Sequence, residues 1–96
     1  MNDSALYRVL IGVSNVLLED GGVERRFGCY ATRVINADSR YEAVRRALAS
    51  VRNDMAAVAR NVAHDEIRVA VEELSEITRD AAGGDSSTGA TWYPEE

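Results

Sequence analysis

Carboxylates are the most concentrated reactive groups in this sequence. Three of them, Glu72, Glu73 and Glu76, lie in "VEELSE", and residues 64–96 contain nine acidic residues but two arginines. Paired carboxylates can act as general acid and base where burial separates their pKa values. On a short polar segment the simpler interpretation is a solvated acidic edge, which would attract a basic partner.

The other reactive side chains are few. A helix C-terminus would stabilise a protonated His64, but no serine, cysteine or second histidine has an evident claim to be its partner. The single cysteine, Cys29, is typical of a buried thiol and excludes an internal disulfide. A zinc site would need more histidine and cysteine than the chain contains. We therefore predict no catalytic residue, no metal and no cofactor.

The basic residues are all arginines, and the net charge is -5. A GC-rich genome would explain this use of arginine, and selection for planar, bidentate contacts is the alternative. The acidic C-terminal third would repel phosphates, which disfavours direct binding of nucleic acid. The partner that this charge favours is a basic protein.

The first third of the chain has the pattern of a β-hairpin over residues 6–37. "LYRVLIGV" alternates between apolar and polar positions, and "EDGGVE" has turn chemistry. The alternation shifts at Ser14-Asn15, which predicts a bulge or a strand bend there. "RRFGCYATRVINA" then returns as the second strand, in which Gly28 would allow another backbone to approach closely.

A helix over residues 39–62 follows. Ser39 and Glu42 form a capping box, and Glu42 is placed to pair with Arg46. Apolar residues recur at spacings of three and four, which predicts a stripe with Leu48 fully buried against a sheet. The stripe consists of Tyr41, Val44, Leu48, Val51, Met55, Val58 and Val62. Beyond Met55 such a helix either overhangs the sheet, where a second chain would cover it, or breaks near Asn61.

The second half of the chain predicts another pair of strands within residues 66–94. "EIRVAVEEL" alternates as a strand, whereas its continuation over 73–80 also fits a helical turn. The Gly- and Ser-rich composition of residues 81–89 predicts a flexible loop, and "ATWYPEE" predicts a short edge strand that Pro94 ends. The order β-β-α-β-β predicts an α+β fold, one antiparallel four-stranded sheet with a long helix on one face.

The 96 residues fit a single domain spanning 1–96, and 46% hydrophobic residues are ordinary for a globular chain. No segment is long and apolar enough for a membrane span, and no signal peptide is evident, so a cytoplasmic location is expected. The core is small, and a homodimer would add stability.

Two groups of residues are candidates for partner binding. Trp92 and Tyr93 are of the types enriched at interface hot spots, and with Glu72, Glu73 and Glu76 they form the first candidate surface. Arg46, Asn53 and Arg60 recur every seven residues on the polar side of the predicted helix and form the second. The alternative for the arginines and the acids is that they are only a solvated surface. The alternative for Trp92 and Tyr93 is that they cover the end of the small core.

The segments "GCYATRVINADSRYEAVRRAL", "IRVAVEEL" and "GATWYPEE" together resemble a loose group of small uncharacterised bacterial proteins. Some similar proteins accompany secreted toxins and look like immunity proteins. The resemblance covers most of the chain, but its motifs are features of the fold and carry no catalytic residues.

We therefore expect a small acidic binding protein that neutralises a toxin or another enzyme by occluding a basic site. One alternative is a phage-type inhibitor of a nucleic-acid-handling complex, similar to an anti-CRISPR protein, with an acidic edge that imitates a phosphate backbone. The other is a small homodimeric enzyme or ligand-binding domain with a pocket between helix and sheet.

Overall fold

The computed structural model describes residues 4–61, 66–78 and 89–95. The elements are β1 (Ala5–Asp20), β2 (Val23–Ala37), α1 (Arg40–Val58), β3 (Arg68–Ile77) and β4 (Ala90–Pro94). The strands form one antiparallel sheet in the order β3-β1-β2-β4, and α1 packs on one face of it. The predicted α+β fold of four strands and one helix is confirmed.

The hairpin of β1 and β2 confirms the prediction for residues 6–37. Its turn places Gly21 at φ 63° and Gly22 at φ 85°, and positive φ at both central positions is typical of the type I′ hairpin turn. Glycine reaches these angles without a steric penalty, so "EDGGVE" directs the chain back along β1.

A β-bulge interrupts β1 where the sequence pattern shifts. The pairing of β1 with β2 changes register between Val13 and Val16, and Asn15 has φ 64°. Asparagine is among the few residues other than glycine that adopt this left-handed conformation at low cost. The bulge predicted at Ser14-Asn15 is therefore confirmed.

The start of α1 agrees with the predicted cap. Ser39 is the N-cap, and its hydroxyl accepts a hydrogen bond from the Glu42 N–H at 3.1 Å. The Glu42 carboxylate pairs with both Arg45 and Arg46, and hydrogen bonds from these two guanidinium groups lower the pKa of Glu42.

The buried face of α1 differs from the predicted stripe. The buried helix residues are Ala43, Ala47, Val51 and Met55. Val51 and Met55 of the predicted stripe are buried, but Leu48 is only partly buried, Val58 is 49% exposed and Tyr41 is 77% exposed, so the predicted full burial of Leu48 is wrong. Two alanines on the buried face let the helix lie close to the sheet, and the larger Val44 and Leu48 consequently lie at the side of the contact.

The helix also ends earlier than residue 62. It stops at Val58, and Ala59 is already extended, with φ -73° and ψ 143°. The Arg60 N–H donates to the Leu17 oxygen at 2.7 Å, and the Asn61 side chain binds the backbone of Asn15 and Leu17. These bonds draw the chain onto β1, so within the described residues the helix breaks before Asn61, which was the second of the two alternatives, and Val62 lies outside the described residues. No helix in the described part of the chain has the length and apolar character needed to cross a membrane.

The two later strands lie at opposite edges of the sheet. β3 pairs with β1 and β4 pairs with β2, so residues 66–94 do not form a hairpin of their own. β3 remains a strand through Ile77, and Pro94 forms the last pair of the edge strand β4, as predicted. Of the predicted loop over 81–89, only Gly89 lies within the described residues, where its oxygen accepts a hydrogen bond from Thr32.

The rotation of α1 can be tested with two alanine substitutions. Met55 is 4% exposed in the core, so we expect Met55→Ala to reduce the free energy of unfolding by about 2–5 kcal/mol. Leu48→Ala should cost clearly less, because part of its side chain is already in water. Urea denaturation of both variants measures the difference, and a larger loss for Leu48→Ala would contradict the observed helix face.

The buried Asn61 provides a second test. Asn61→Ala leaves the Leu17 N–H and the Asn15 oxygen without their partner, which should cost about 1–3 kcal/mol of stability. Asn53→Ala is the matched control, since Asn53 is exposed on α1. Equal stability of the two variants would show that the Asn61 bonds contribute nothing.

Candidate functional site

The face of the sheet opposite α1 (the open face) contains two glycines. Gly12 of β1 pairs with Tyr30, and Gly28 of β2 pairs with Tyr93. A Cβ at Gly12 would lie 2.7 Å from Oε2 of Glu72, and a Cβ at Gly28 would overlap the Tyr93 ring. The two glycines therefore let side chains from both edge strands lie flat across the middle of the sheet.

Glu72 reaches Gly12 because of a second bulge. Leu10 pairs with Glu73 and Ile11 pairs with Val71, so Glu72 is the extra residue of β3. Strand bulges redirect a side chain from its regular position. Here the bulge places the Glu72 carboxylate on the open face above β1.

Tyr93 lies beside a second aromatic ring. The centroids of Tyr30 and Tyr93 are 5.6 Å apart with an interplanar angle of 32°, a separation typical of interacting aromatic pairs. Loss of solvation raises the pKa of Tyr93, and the nearby Tyr30, Glu95, Cys29 and Glu72 raise it further. The phenol consequently stays neutral at physiological pH.

These side chains line a hollow of about 180 Å³ on the open face (the open-face hollow). Its polar and aromatic walls are Ser14, Tyr30, Arg68, Glu72 and Tyr93. A second hollow of about 340 Å³ shares Ser14 and Arg68 with it and adds Asn15, Arg26 and Glu95. A carboxylate beside two aromatic rings can hold a cation, because the charge and the ring faces both attract it. Glu72 and the two tyrosines are therefore suited to a guanidinium or ammonium group, while the Arg68 guanidinium that lines the same hollow opposes its entry.

Comparisons with known proteins do not identify the chain. No protein-family model, no curated protein and no solved structure matches it. Within the described residues, no group of three or more histidine, cysteine, aspartate or glutamate side chains is placed to hold a metal ion. The possible function of the open-face hollow therefore has to be inferred from its own geometry.

The structure brings together two of the five residues predicted for the first partner surface. Glu72 and Tyr93 line the same hollow. Glu73 is exposed on the open face opposite Leu10, whereas Glu76 pairs with Tyr7 and lies on the helix side. Trp92 pairs with the buried Cys29, so it also lies on the helix side, where it is 37% exposed. The five side chains therefore do not form one continuous patch.

The second predicted surface is also divided. Arg46 binds Glu42 and donates to the Asn36 oxygen at 3.0 Å, and Arg60 lies beyond the helix, where it pairs with Glu19. Asn53 is exposed on α1. Arg46 and Arg60 thus form bonds within the fold. Because α1 ends at Val58, Arg60 is not on the helix, and the three side chains do not share one helix face. His64 lies outside the described residues.

Several important residues were not singled out from the sequence. Gly12, Tyr30 and Arg68 contribute to the open-face hollow, and Arg33 is a buried cation on the helix side, where it binds Ser50 and Asp54. Two glycines inside alternating strands were the available signal for close approach. Gly28 was expected to receive a backbone, and it receives the ring of Tyr93 instead.

Cys29 has the buried position expected for a lone thiol. It is fully buried in the core, and this burial raises its pKa, although Arg33 and a backbone hydrogen bond at Thr91 act in the opposite direction. A neutral thiol in this position is a packing residue.

A larger groove of about 650 Å³ lies between α1 and β3. It is lined by Ala49, Arg52, Asn53, Met55, Ala56, Ile67 and Val69. This groove is the place for the predicted pocket between helix and sheet. These lining residues include no carboxylate, imidazole or thiol, so they supply binding surface and no acid–base group.

The packing of Tyr93 on Gly28 can be measured with a double-mutant cycle. Gly28→Ala should reduce stability by about 1–3 kcal/mol, since its methyl group would overlap the Tyr93 ring. In a Tyr93→Ala background most of this loss should disappear. Gly89→Ala is the control, because nothing lies within 4 Å of a Cβ there. Denaturation of the four chains gives the coupling, and additive losses would show that the ring does not rest on Gly28.

Proposed function

We propose that this protein is a small acidic binding protein that docks on a basic partner, a toxin or another enzyme, and occludes its basic site. The observation that carries the proposal is the convergence of Glu72 and Tyr93 in the open-face hollow. They come from strands at opposite edges of the sheet, and each lies over a glycine. A basic side chain of the partner would enter this hollow.

The charges act at two distances in this proposal. The net charge of -5 attracts a basic partner over about a Debye length and increases the association rate. Glu73 and Glu76 are exposed and contribute to this attraction only. Glu72 acts at contact, where the carboxylate and the two tyrosine rings surround the incoming cation.

The resemblance to small immunity proteins agrees with this function. An immunity protein needs a stable surface that is complementary to one partner and needs no catalytic group. The open face offers such a surface, since α1 covers the other side of the sheet. Here an aromatic pair at the centre, with charges around it, matches the usual arrangement of an interface hot spot.

An arginine-rich peptide is a suitable first probe. In an NMR titration at low salt, the largest amide shifts should occur at Gly12, Tyr30, Glu72 and Tyr93, and an acidic peptide of the same length should cause none. Glu72→Gln and Tyr93→Ala should each weaken binding by about two- to fivefold or more, as expected for loss of one cation contact. Higher salt should weaken binding further.

Two control variants distinguish binding at the open-face hollow from a general effect of the protein's negative charge. Glu24→Gln removes one carboxylate at the exposed hairpin turn, and Tyr41→Ala removes a tyrosine that is 77% exposed on α1. Both should bind the peptide nearly as well as the unmodified protein. If all acidic substitutions weaken binding equally, or if the shifts lie away from the open face, the hollow is not the recognition site.

A further inference from the structure

β3 occupies one edge of the sheet, and its outer side has no neighbouring strand within the described part of the chain. Arg68, Ala70, Val71 and Glu72 are exposed, and Val69 is half-buried. An exposed strand edge offers unpaired N–H and C=O groups, which readily pair with another strand. The order of the side chains along β3 indicates which strand would pair with this edge.

The segment from Arg68 to Glu72 is complementary to itself. Read in either direction it has a charged residue, a valine, an alanine, a valine and a charged residue, and the two charges have opposite sign. In an antiparallel pair, directly opposed residues lie close together on the same face of the sheet. A reversed copy of the segment therefore places each arginine opposite a glutamate.

We propose that two copies of this chain pair through their β3 edges, antiparallel and with Ala70 opposite Ala70. Arg68 of each copy then opposes Glu72 of the other on the open face, where the Glu72 carboxylate turns from its place over Gly12 toward the second copy. On the helix side, Val69 of each copy opposes Val71 of the other. The product is a continuous eight-stranded sheet with both helices on the same face.

The alternative registers are less favourable. If Glu72 lay at the centre, two carboxylates would oppose each other, and like charges directly opposite destabilise a strand pair. If Val69 lay at the centre, Arg68 would oppose Ala70 and Glu72 would lie beyond the start of the other copy's strand, so both charge pairs would be lost. The register centred on Ala70 gives two attractive charge pairs and two apolar pairs, so the side chains favour it.

The pairing also covers apolar surface beside the groove between α1 and β3. Val71 is 37% exposed, and Val69 lines that groove. In the pair, the valines of the second copy lie next to these side chains and remove them from water. This burial adds to the backbone hydrogen bonds that the edge lacks in a single copy.

The inference shares Glu72 with the proposed function but can be tested separately from it. The pairing also needs Arg68 and the backbone edge of β3, whereas cation binding also needs Tyr30 and Tyr93. Tyr93→Ala removes part of the hollow and leaves the edge intact. Failure of one proposal can therefore be distinguished from failure of the other.

Cysteine cross-linking tests the register directly. Opposed Cα atoms in an antiparallel pair lie about 4.5–5.5 Å apart, which is within disulfide range. Ala70→Cys should therefore give a disulfide-linked dimer under mild oxidation. Ser75→Cys, exposed on the same strand, is the control, because its two copies would be roughly 30 Å apart. Cys29 is fully buried and common to both variants.

A charge exchange gives a second test. Arg68→Glu and Glu72→Arg each place like charges opposite each other twice, so each should weaken self-association by about tenfold or more. The variant with both changes should recover it. An equimolar mixture of the two single variants should also pair, since in the mixed dimer every charge again faces its opposite. Sedimentation from micromolar to millimolar concentration measures all four samples, and Glu24→Arg at the hairpin turn is the charge control.

Three results would overturn the proposal. The first is a monomer throughout this concentration range. The second is equal cross-linking of Ala70→Cys and Ser75→Cys. The third is a dimer whose strength is unchanged by either single reversal. Cross-linking at Ala70 alone, together with recovery in the mixed sample, would establish the pairing and its register.

Discussion

The fold depends on the hydrogen bonds around the bulge at Asn15. Its N–H donates to Oε1 of Glu95, its side-chain amide donates to the Glu66 oxygen, and its own oxygen accepts from Asn61. Each bond is 3.0 Å long. One residue of β1 thus connects the start of β3, the end of β4 and the chain that leaves α1. A regular strand residue could not do this, because its backbone groups would be used in the ladder.

This connection determines where the walls of the open-face hollow lie. Glu66 comes just before Arg68, and Glu95 comes just after Tyr93, so both edge strands are fixed near the same point of β1. From there β3 and β4 run along opposite sides of the central hairpin. The side chains of Glu72 and Tyr93 can meet only because Gly12 and Gly28 leave space between the strands. The bulge and the glycines act together: the first sets the positions of the strands, and the second allows the approach.

Local features of this fold were predictable from the sequence, because they depend on neighbouring residues. The glycine turn, the Ser39 cap and the bulge each follow from the conformational preference of one or two residues. The face of α1 was not predictable, and its break near Asn61 was only one of two alternatives, because both depend on distant contacts. The two small alanines, Ala43 and Ala47, are among the buried residues of α1, although a hydrophobicity pattern gives more weight to Leu48. The helix ends where Asn61 meets β1, at a sequence separation of 46 residues from Asn15.

The candidate site was also predictable only in part: the composition of the sequence indicated its charge but not the position of its side chains. The acidic character of the C-terminal third was evident from the sequence, but it did not distinguish Glu72 from Glu73 and Glu76. The bulge makes that distinction, because it places the exposed Glu72 carboxylate over Gly12, whereas the equally exposed Glu73 lies opposite Leu10. A carboxylate in water attracts any cation weakly, whereas one beside two aromatic rings selects a cation that also fits the rings. Under the proposed function, specificity for a basic side chain would therefore arise from the extra residue in β3, and the surrounding acids would supply only the long-range attraction.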